Sequence, residues 1–100
     1  MSRSPSEKSW TFVTNHTQVL LALSRDSDMR LRDIADVVGI TERAAQRIVG
    51  DLIEGGYVTR ERVGRRNHYV VNAELKMRHP AQREQDVGSL LEVLQQKDDH

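Results

Sequence analysis

The segment between residues 31 and 52 contains two short apolar patterns of helical spacing, separated by a glycine. The first pattern recurs at i, i+3, i+4 and i+7 and comprises Leu31, Ile34, Ala35 and Val38. Gly39 follows it, and a residue that tolerates a positive φ commonly ends a helix. Thr41 is a suitable N-cap for the second pattern, whose apolar side comprises Ala45, Ile48, Val49 and Leu52. The segment therefore predicts two helices, over residues 32–38 and 41–54, joined by a tight turn.

The spacing of two small residues inside this segment indicates how the two predicted helices are arranged. A helix-turn-helix needs a small residue where its helices cross, a glycine in the turn, and apolar residues on either side of both. Ala35 and Gly39 stand four positions apart, and the apolar residues around them are Ile34, Ile40, Ala45 and Ile48. Two β-branched runs follow, over residues 57–63 and 68–72, and Gly64-Arg65-Arg66-Asn67 between them predicts a β-hairpin. A helix-turn-helix followed at once by a hairpin is the winged form of the motif.

Further elements are predicted on both sides of this winged segment. Asn15, with Gln18 as its capping-box partner, predicts a helix over residues 16–25, and residues 29–31 are a candidate short strand. An amphipathic helix is expected from residue 81 to about residue 97, on the helical spacing of Val87, Leu90, Leu91 and Leu94.

The predicted fold class is therefore α+β and mainly helical. It is a winged helix-turn-helix, with a three-helix core and a two-stranded β-wing, plus a C-terminal amphipathic helix. The expected division of the chain is a disordered tail over 1–9, a winged helix-turn-helix domain over 10–73, a linker and C-terminal helix over 74–97, and a tail over 98–100.

One long stretch of the chain resembles a known family. The sequence RLRDIADVVGITERAAQRIVGDLIEGGYVTRERVGRRNHYVVN is similar to the winged helix-turn-helix of MarR- and ArsR-like bacterial regulators, most of all to short, single-domain members common in actinobacteria. The resemblance extends over about residues 15–94, and its most specific parts are LRDIA, VGIT and GRRNHY. It implies a DNA-binding regulator. The chain lacks the cysteines of many ArsR-type metal sites and has at most one of the long flanking helices that build the MarR ligand pocket, so the resemblance names no effector.

Composition limits the alternatives. The absence of cysteine excludes disulfides and thiolate metal sites. Fifteen basic residues balance fifteen acidic ones, yet residues 57–72 hold four arginines against one acid, and a phosphate responds to this local potential. The longest apolar run, Val19–Leu23, is too short to cross a bilayer, and residues 1–9 lack the apolar core of a signal peptide. A cytoplasmic location is therefore expected.

One side of the predicted third helix carries residue types suited to reading base pairs. Opposite its apolar side lie Arg43, Arg47, Gly50 and Glu54, and Gln46 and Glu42 flank that face. Arginine pairs with O6 and N7 of guanine, and glutamine pairs with adenine. A glycine inside a helix lowers helix stability by up to about 1 kcal/mol relative to alanine, so its presence favours a close approach of a partner to the helix backbone. Thr41, at the helix N-terminus, is a candidate phosphate contact. The alternative is a solvent-exposed face whose arginines contact nothing.

The predicted wing is rich in arginine. Its candidate DNA contacts are Arg60, Arg62, Arg65, Arg66 and Asn67. A tight turn with adjacent arginines can contact phosphates or enter a minor groove, although a loop tip that only aids solubility is the alternative. Arg32, at the start of the second helix, is a further phosphate candidate.

The apolar side of the predicted C-terminal helix has two interpretations. Its residues Val87, Leu90, Leu91 and Leu94 pack on the first helix near Trp10 and Phe12, or form half of a homodimer interface, and both can hold. Palindromic DNA sites suit a two-fold dimer, which favours the second interpretation.

The sequence contains no catalytic or metal-binding pattern. The four histidines lack ligand spacing, no P-loop follows Gly55-Gly56, and no serine stands in a G-x-S-x-G context. The sequence therefore predicts a sequence-specific regulator that binds double-stranded DNA, without enzymatic activity, cofactor or metal, and leaves a small-molecule effector open. A protein-interaction winged helix and an architectural nucleic-acid-binding protein without sequence preference are the alternatives, and zero net charge suits the first of these.

Overall fold

A computed structural model describes residues 12–95 of the chain. Its helices are α1 (Asn15–Arg25), α2 (Leu31–Val38), α3 (Glu42–Glu54) and α4 (Val87–Gln95), and a 3₁₀ turn covers Pro80–Gln82. Strands β1 (Val58–Val63) and β2 (Arg66–Val71) form an antiparallel pair between α3 and the 3₁₀ turn. The predicted winged arrangement, with three core helices, a two-stranded wing and a C-terminal helix, is confirmed.

Side-chain caps define where α1 and α3 begin. The hydroxyl of Thr41 accepts a hydrogen bond from the Ala44 N–H at 3.0 Å, as predicted for α3. In α1 the cap is Thr14, whose hydroxyl accepts from Thr17 N–H at 3.4 Å, so the prediction of Asn15 as the N-cap was wrong. Gly39 ends α2 with φ of 85°, the left-handed conformation that its position in the turn predicted.

The core lies where α1, α2 and α3 meet. Val19, Leu23, Ile34 and Ala45 are completely buried there. The whole apolar side predicted for α3 is buried, namely Ala45, Ile48, Val49 and Leu52. The base of the wing and the inner side of α4 join the same core through Val58, Tyr69, Val87 and Leu91. This packing determines which side of α3 faces away from the core.

The wing hairpin is tighter than predicted. Its register runs from Val58 opposite Val71 to Val63 opposite Arg66, so only Gly64 and Arg65 form the turn. Gly64 has φ of 62°, a positive value of the kind that two-residue hairpin turns require. The prediction of a four-residue turn was therefore wrong, because Arg66 and Asn67 continue β2.

The candidate strand over residues 29–31 is absent from the described structure. Leu31 already begins α2, and the preceding loop instead runs along the outer edge of β2. There the Tyr69 N–H donates to the Ser27 carbonyl at 2.9 Å. A single backbone bond of this kind holds the loop against the wing without forming a third strand.

The C-terminal segment differs most from its prediction, because α4 begins at Val87 and not at residue 81. The chain over residues 73–77 folds back on residues 85–88: Met77 N–H donates to the Gln85 carbonyl, Val87 N–H to that of Leu75 and Gly88 N–H to that of Ala73. These hydrogen bonds, at 2.8–3.0 Å, pair residues 85–88 with residues 73–77, so the predicted helix does not extend back to residue 81. The predicted helix end at Lys97 lies outside the described residues.

The packing of α4 on α1 is confirmed only in part. The Gln95 side chain donates to the Ser24 hydroxyl at 2.8 Å, which links the end of α4 to α1. Phe12 is 93% exposed, which differs from the buried position beside α4 that the sequence suggested, and Trp10 lies outside the described residues. No helix within residues 12–95 is both long and apolar enough to cross a membrane.

Candidate nucleic-acid interface

The outward side of α3 is a continuous exposed surface. Arg43, Gln46, Arg47 and Gly50 are all exposed, opposite the buried apolar side of the helix. Thr41 and Glu42, at the N-terminal end, are exposed as well. The residues that the sequence singled out on this helix therefore share one accessible surface, which has the width of a single helix face.

Gly50 occupies the middle of this surface. Apart from its chain neighbours and the adjacent backbone of α3 itself, a Cβ atom built on it would find no atom of the described residues within 4 Å. The protein's own packing therefore does not require a glycine here, although a glycine weakens a helix by about 1 kcal/mol relative to alanine. The backbone of α3 at Gly50 is therefore accessible from outside the protein.

The wing arginines do not all point the same way. Because side chains alternate along a strand, Arg60 and Arg62 lie on the sheet face that Val58 and Tyr69 bury at the base of the wing. Arg66 lies on the opposite face, and Arg65 is in the turn. All four arginines are exposed, and Asn67 is half-buried.

Arg66 has a structural role as well as an exposed guanidinium. Its Nη2 donates to the backbone carbonyl of Asp28 at 2.6 Å, and His68 Nδ1 lies 2.9 Å from the Asp28 carboxylate. Together with the bond from Tyr69 to Ser27, these contacts fix β2 to the loop between α1 and α2. Sequence reasoning treated Arg66 only as a DNA contact and missed this attachment.

The attachment brings one unpredicted arginine to the interface. Arg30, the last residue before α2, lines the same groove as Arg32, Arg65, Arg66 and Asn67. The sequence signal was weak, because Arg30 and the wing lie far apart in the chain. Only the folded loop places them side by side.

The four residues predicted for dimerisation divide into two pairs. Val87 and Leu91 are buried in the core of their own chain, so they are not available to a partner. Leu90 and Leu94 are half-buried, and the neighbouring Val93 is 70% exposed. Within residues 12–95, no three His, Asp or Glu side chains are grouped as metal ligands would be.

The helical core, the tight turn at Gly39 and the two-stranded wing define a winged helix-turn-helix protein. The model of the MarR family matches residues 12–66, more than half of the chain, and the chain belongs to that family. It is thereby a DNA-binding transcription regulator, of a family whose members are typically dimers and generally not enzymes. No curated protein matches the chain.

Proposed function

We propose that this regulator recognises a specific sequence in double-stranded DNA, with α3 in the major groove and the wing on the backbone or in the minor groove. The observation that carries the proposal is the exposed side of α3. It presents two arginines, a glutamine and a glycine on one surface, directly opposite four core residues. An α-helix fits the major groove, where each base pair offers a distinct set of donors and acceptors.

Each residue of this surface has a separate role. Arg43 and Arg47 donate to guanine O6 and N7, and Gln46 pairs with the edge of adenine. Gly50 lets the DNA approach the helix more closely than a side chain would. Thr41 caps the helix whose N-terminal N–H groups receive a backbone phosphate.

The wing and the start of α2 contact the DNA backbone through their positive charge and do not distinguish one base sequence from another. Arg60, Arg62 and Arg65 are exposed along and at the tip of the hairpin, and Arg32 is exposed on α2. Arginines of this kind bind phosphates or a narrow minor groove and set the position of the protein on the duplex. Arg66 and Asn67 complete the wing contact from β2.

Selection from random duplex DNA tests sequence specificity most directly. We expect enrichment of one motif, in two half-sites related by two-fold symmetry. DNA binding without enrichment of any motif would show an architectural role instead. An absence of DNA binding would favour the protein-interaction alternative.

Two sets of variants separate base readout from charge. Arg47→Ala is expected to lose about 1–3 kcal/mol of binding free energy for the selected site and little for other sequences. Arg62→Ala combined with Arg65→Ala is expected to weaken binding to all sequences and to reduce the salt dependence. Arg66 is left intact because it also attaches the wing. Fluorescence anisotropy at several salt concentrations measures both effects, and unchanged binding in both variants would contradict the proposed interface.

We further propose that the regulator acts as a homodimer through α4. The apolar sector of this helix extends from the buried Leu91 and Val87, through Leu94 and Leu90, to Val93. It is therefore wider than the part that the chain buries, and an apolar helix surface of this width normally packs against another element. A second copy related by two-fold symmetry would cover it and place two α3 helices on a palindromic site.

Light scattering after size exclusion tests the dimer. The wild-type chain is expected to elute as a dimer and Val93→Glu as a monomer, because a charge at this exposed position opposes the apolar contact without entering the core. Glu92→Gln, on the neighbouring exposed position, is the control. A wild-type monomer at high concentration would overturn this proposal and leave the α3 interface standing.

A further inference from the structure

A groove between the start of α2 and the wing is lined by more arginines than carboxylates. We call it the α2–wing groove; its charged lining residues are Arg30, Arg32, Arg65, Arg66, Asp28 and Glu42. Two other grooves have the opposite balance. One beside α4 has Glu74, Asp86 and Glu92 and no lysine or arginine, and one between α1 and α3 has Asp51 and Glu54 against Arg78.

The arginines of the α2–wing groove are not neutralised by carboxylates. Among residues 12–95, the basic side chains within 4.0 Å of a carboxylate are His16, at Asp51, and His68, at Asp28, so no arginine there forms a salt bridge. The carboxylate of Asp28 is held by His68, and only its backbone carbonyl faces Arg66. The positive charge of the groove is thus free to attract an external anion.

The position of Arg30 relative to the wing is fixed by hydrogen bonds. Arg66 and Tyr69 both donate to the loop at residues 27–28, two to three positions before Arg30. On its other side, the Arg30 N–H donates to the Asp33 carboxylate at 3.4 Å, which anchors the residue to α2. The backbone of Arg30 is therefore held between the wing and the helix-turn-helix.

We propose that Arg30 is a DNA-backbone contact, and that the α2–wing groove binds a phosphodiester group between the site of α3 and the site of the wing. This inference rests on the proposed function, because it presumes that the duplex lies across α3 and the wing. Four arginines facing one groove give a phosphate more donors than the wing tip alone. Arg30 would hold the DNA contacts of α3 and of the wing at a fixed distance from each other, and it would not distinguish one base sequence from another.

The test is a salt titration of binding to one labelled duplex of arbitrary sequence. Arg30→Gln is expected to reduce the slope of log K against log salt by about 1, since one phosphate contact is lost. Arg30→Lys keeps the charge and is expected to retain the wild-type slope. Arg83→Gln, an exposed arginine in the loop before α4, is the matched control and should change neither slope nor affinity.

Arg30→Gln leaves in place the hydrogen bond from the backbone N–H of residue 30 to Asp33. A wild-type slope for Arg30→Gln, together with weaker binding by Arg47→Ala to its selected site, would overturn this inference and leave the proposed function intact. An equal loss of slope for Arg83→Gln would also overturn it, because the effect would then report overall charge. If the wild-type protein binds no duplex, both proposals are wrong.

Discussion

The helix-turn-helix and the C-terminal segment are stabilised in different ways. In α2 and α3, each helix has its own end signal, with Thr41 at the start of α3 and Gly39 in the left-handed conformation at the end of α2. In residues 73–95, by contrast, the local cap at Asp86 is supplemented by backbone bonds between residues 73–77 and residues 85–88, whose partners stand 8 to 15 positions apart. The helix ends of the first region are set by neighbours in sequence, whereas the second region also requires a loop to close.

This difference also separates the two proposed activities. The part of the proposed DNA surface that lies on α3 belongs to an element with local signals, so its geometry is set within one short segment. The proposed dimer surface lies on α4, whose position depends on contacts with residues 73–77 and with Ser24 of α1. A change in the C-terminal loop would therefore alter association before it alters DNA contacts.

The largest expected effect tests whether both regions share one core. Ile34→Ala in α2 is expected to lower the free energy of unfolding by about 2–5 kcal/mol, because it leaves a cavity at a completely buried site. Leu91→Ala in α4, which is 4% exposed, should fall in the same range and in a single urea transition. Val37→Ala, on the exposed side of α2, is the control and should change stability by less than about 0.5 kcal/mol. An unchanged urea midpoint for Leu91→Ala would show that α4 is peripheral.

Two helical glycines give a smaller and more specific comparison. Gly50→Ala is expected to stabilise the protein by up to about 1 kcal/mol, because a Cβ there meets no atom of the described residues within 4 Å beyond its chain neighbours and the adjacent backbone of its own helix. Gly88→Ala should lack this gain, because its Cβ would lie 3.0 Å from Ala73 Cβ and 3.1 Å from the Ala73 carbonyl oxygen. Thermal unfolding of both variants measures the difference.

The same pair tests the DNA contact of α3. Gly50→Ala is expected to bind DNA more weakly despite its higher stability, whereas the binding surface is unchanged in Gly88→Ala. Equal stabilisation by the two substitutions would contradict the close approach of Ala73 and α4. Wild-type affinity in Gly50→Ala would contradict the role of Gly50.

The smallest expected effect concerns the start of α4. The backbone N–H and the hydroxyl of Ser89 donate to the Asp86 carboxylate at 2.9 and 2.8 Å, and they lower the pKa of Asp86 from 3.8. Because the pKa is lower in the folded state, the stabilisation is complete above pH 3.8 and is lost as the pH falls through the folded value. Asp86→Asn keeps a side-chain oxygen that can accept these hydrogen bonds, but it removes the carboxyl group that titrates in this pH range.

Chemical unfolding of wild type and Asp86→Asn at neutral and acidic pH measures this contribution. The wild type should lose more stability on acidification than the variant does. Asp36→Asn, on the exposed side of α2, is the control for a general change in net charge. An identical pH profile for wild type and Asp86→Asn would show that the cap contributes nothing.

The parts of the fold that sequence predicted well are those with a single local solution. The buried side of α3 follows from the helical period, and its opposite side, with Arg43 and Arg47, follows with it. Where two neighbouring residues suit the same role, local pattern fails: Thr14 and Asn15 are both good N-caps, and the structure uses Thr14. The glycine of the wing turn was predicted, but the turn length depends on strand register.

The parts that sequence missed depend on contacts between distant segments. Residues 81–86 contain no apolar residue that packing could hold except Ala81, and pairing of residues 85–88 with 73–77 replaces the helix predicted there. Arg30 was missed for the same reason. Arg30 lies near Arg65 because hydrogen bonds join residues 27–28 to β2, about 40 positions further along the chain.

The two edges of the wing have unequal exposure, which bears on solubility. The outer edge of β2 is covered by Ser27 and Asp28, whereas β1 pairs with no described strand except β2 and carries Arg60, Glu61 and Arg62. An uncovered strand edge can pair with another chain and so start aggregation, and charged side chains on the edge prevent this. The arginines that we propose as phosphate contacts would thus also keep two wings from pairing in the absence of DNA. A fully neutralised wing is therefore expected to precipitate as well as to lose affinity.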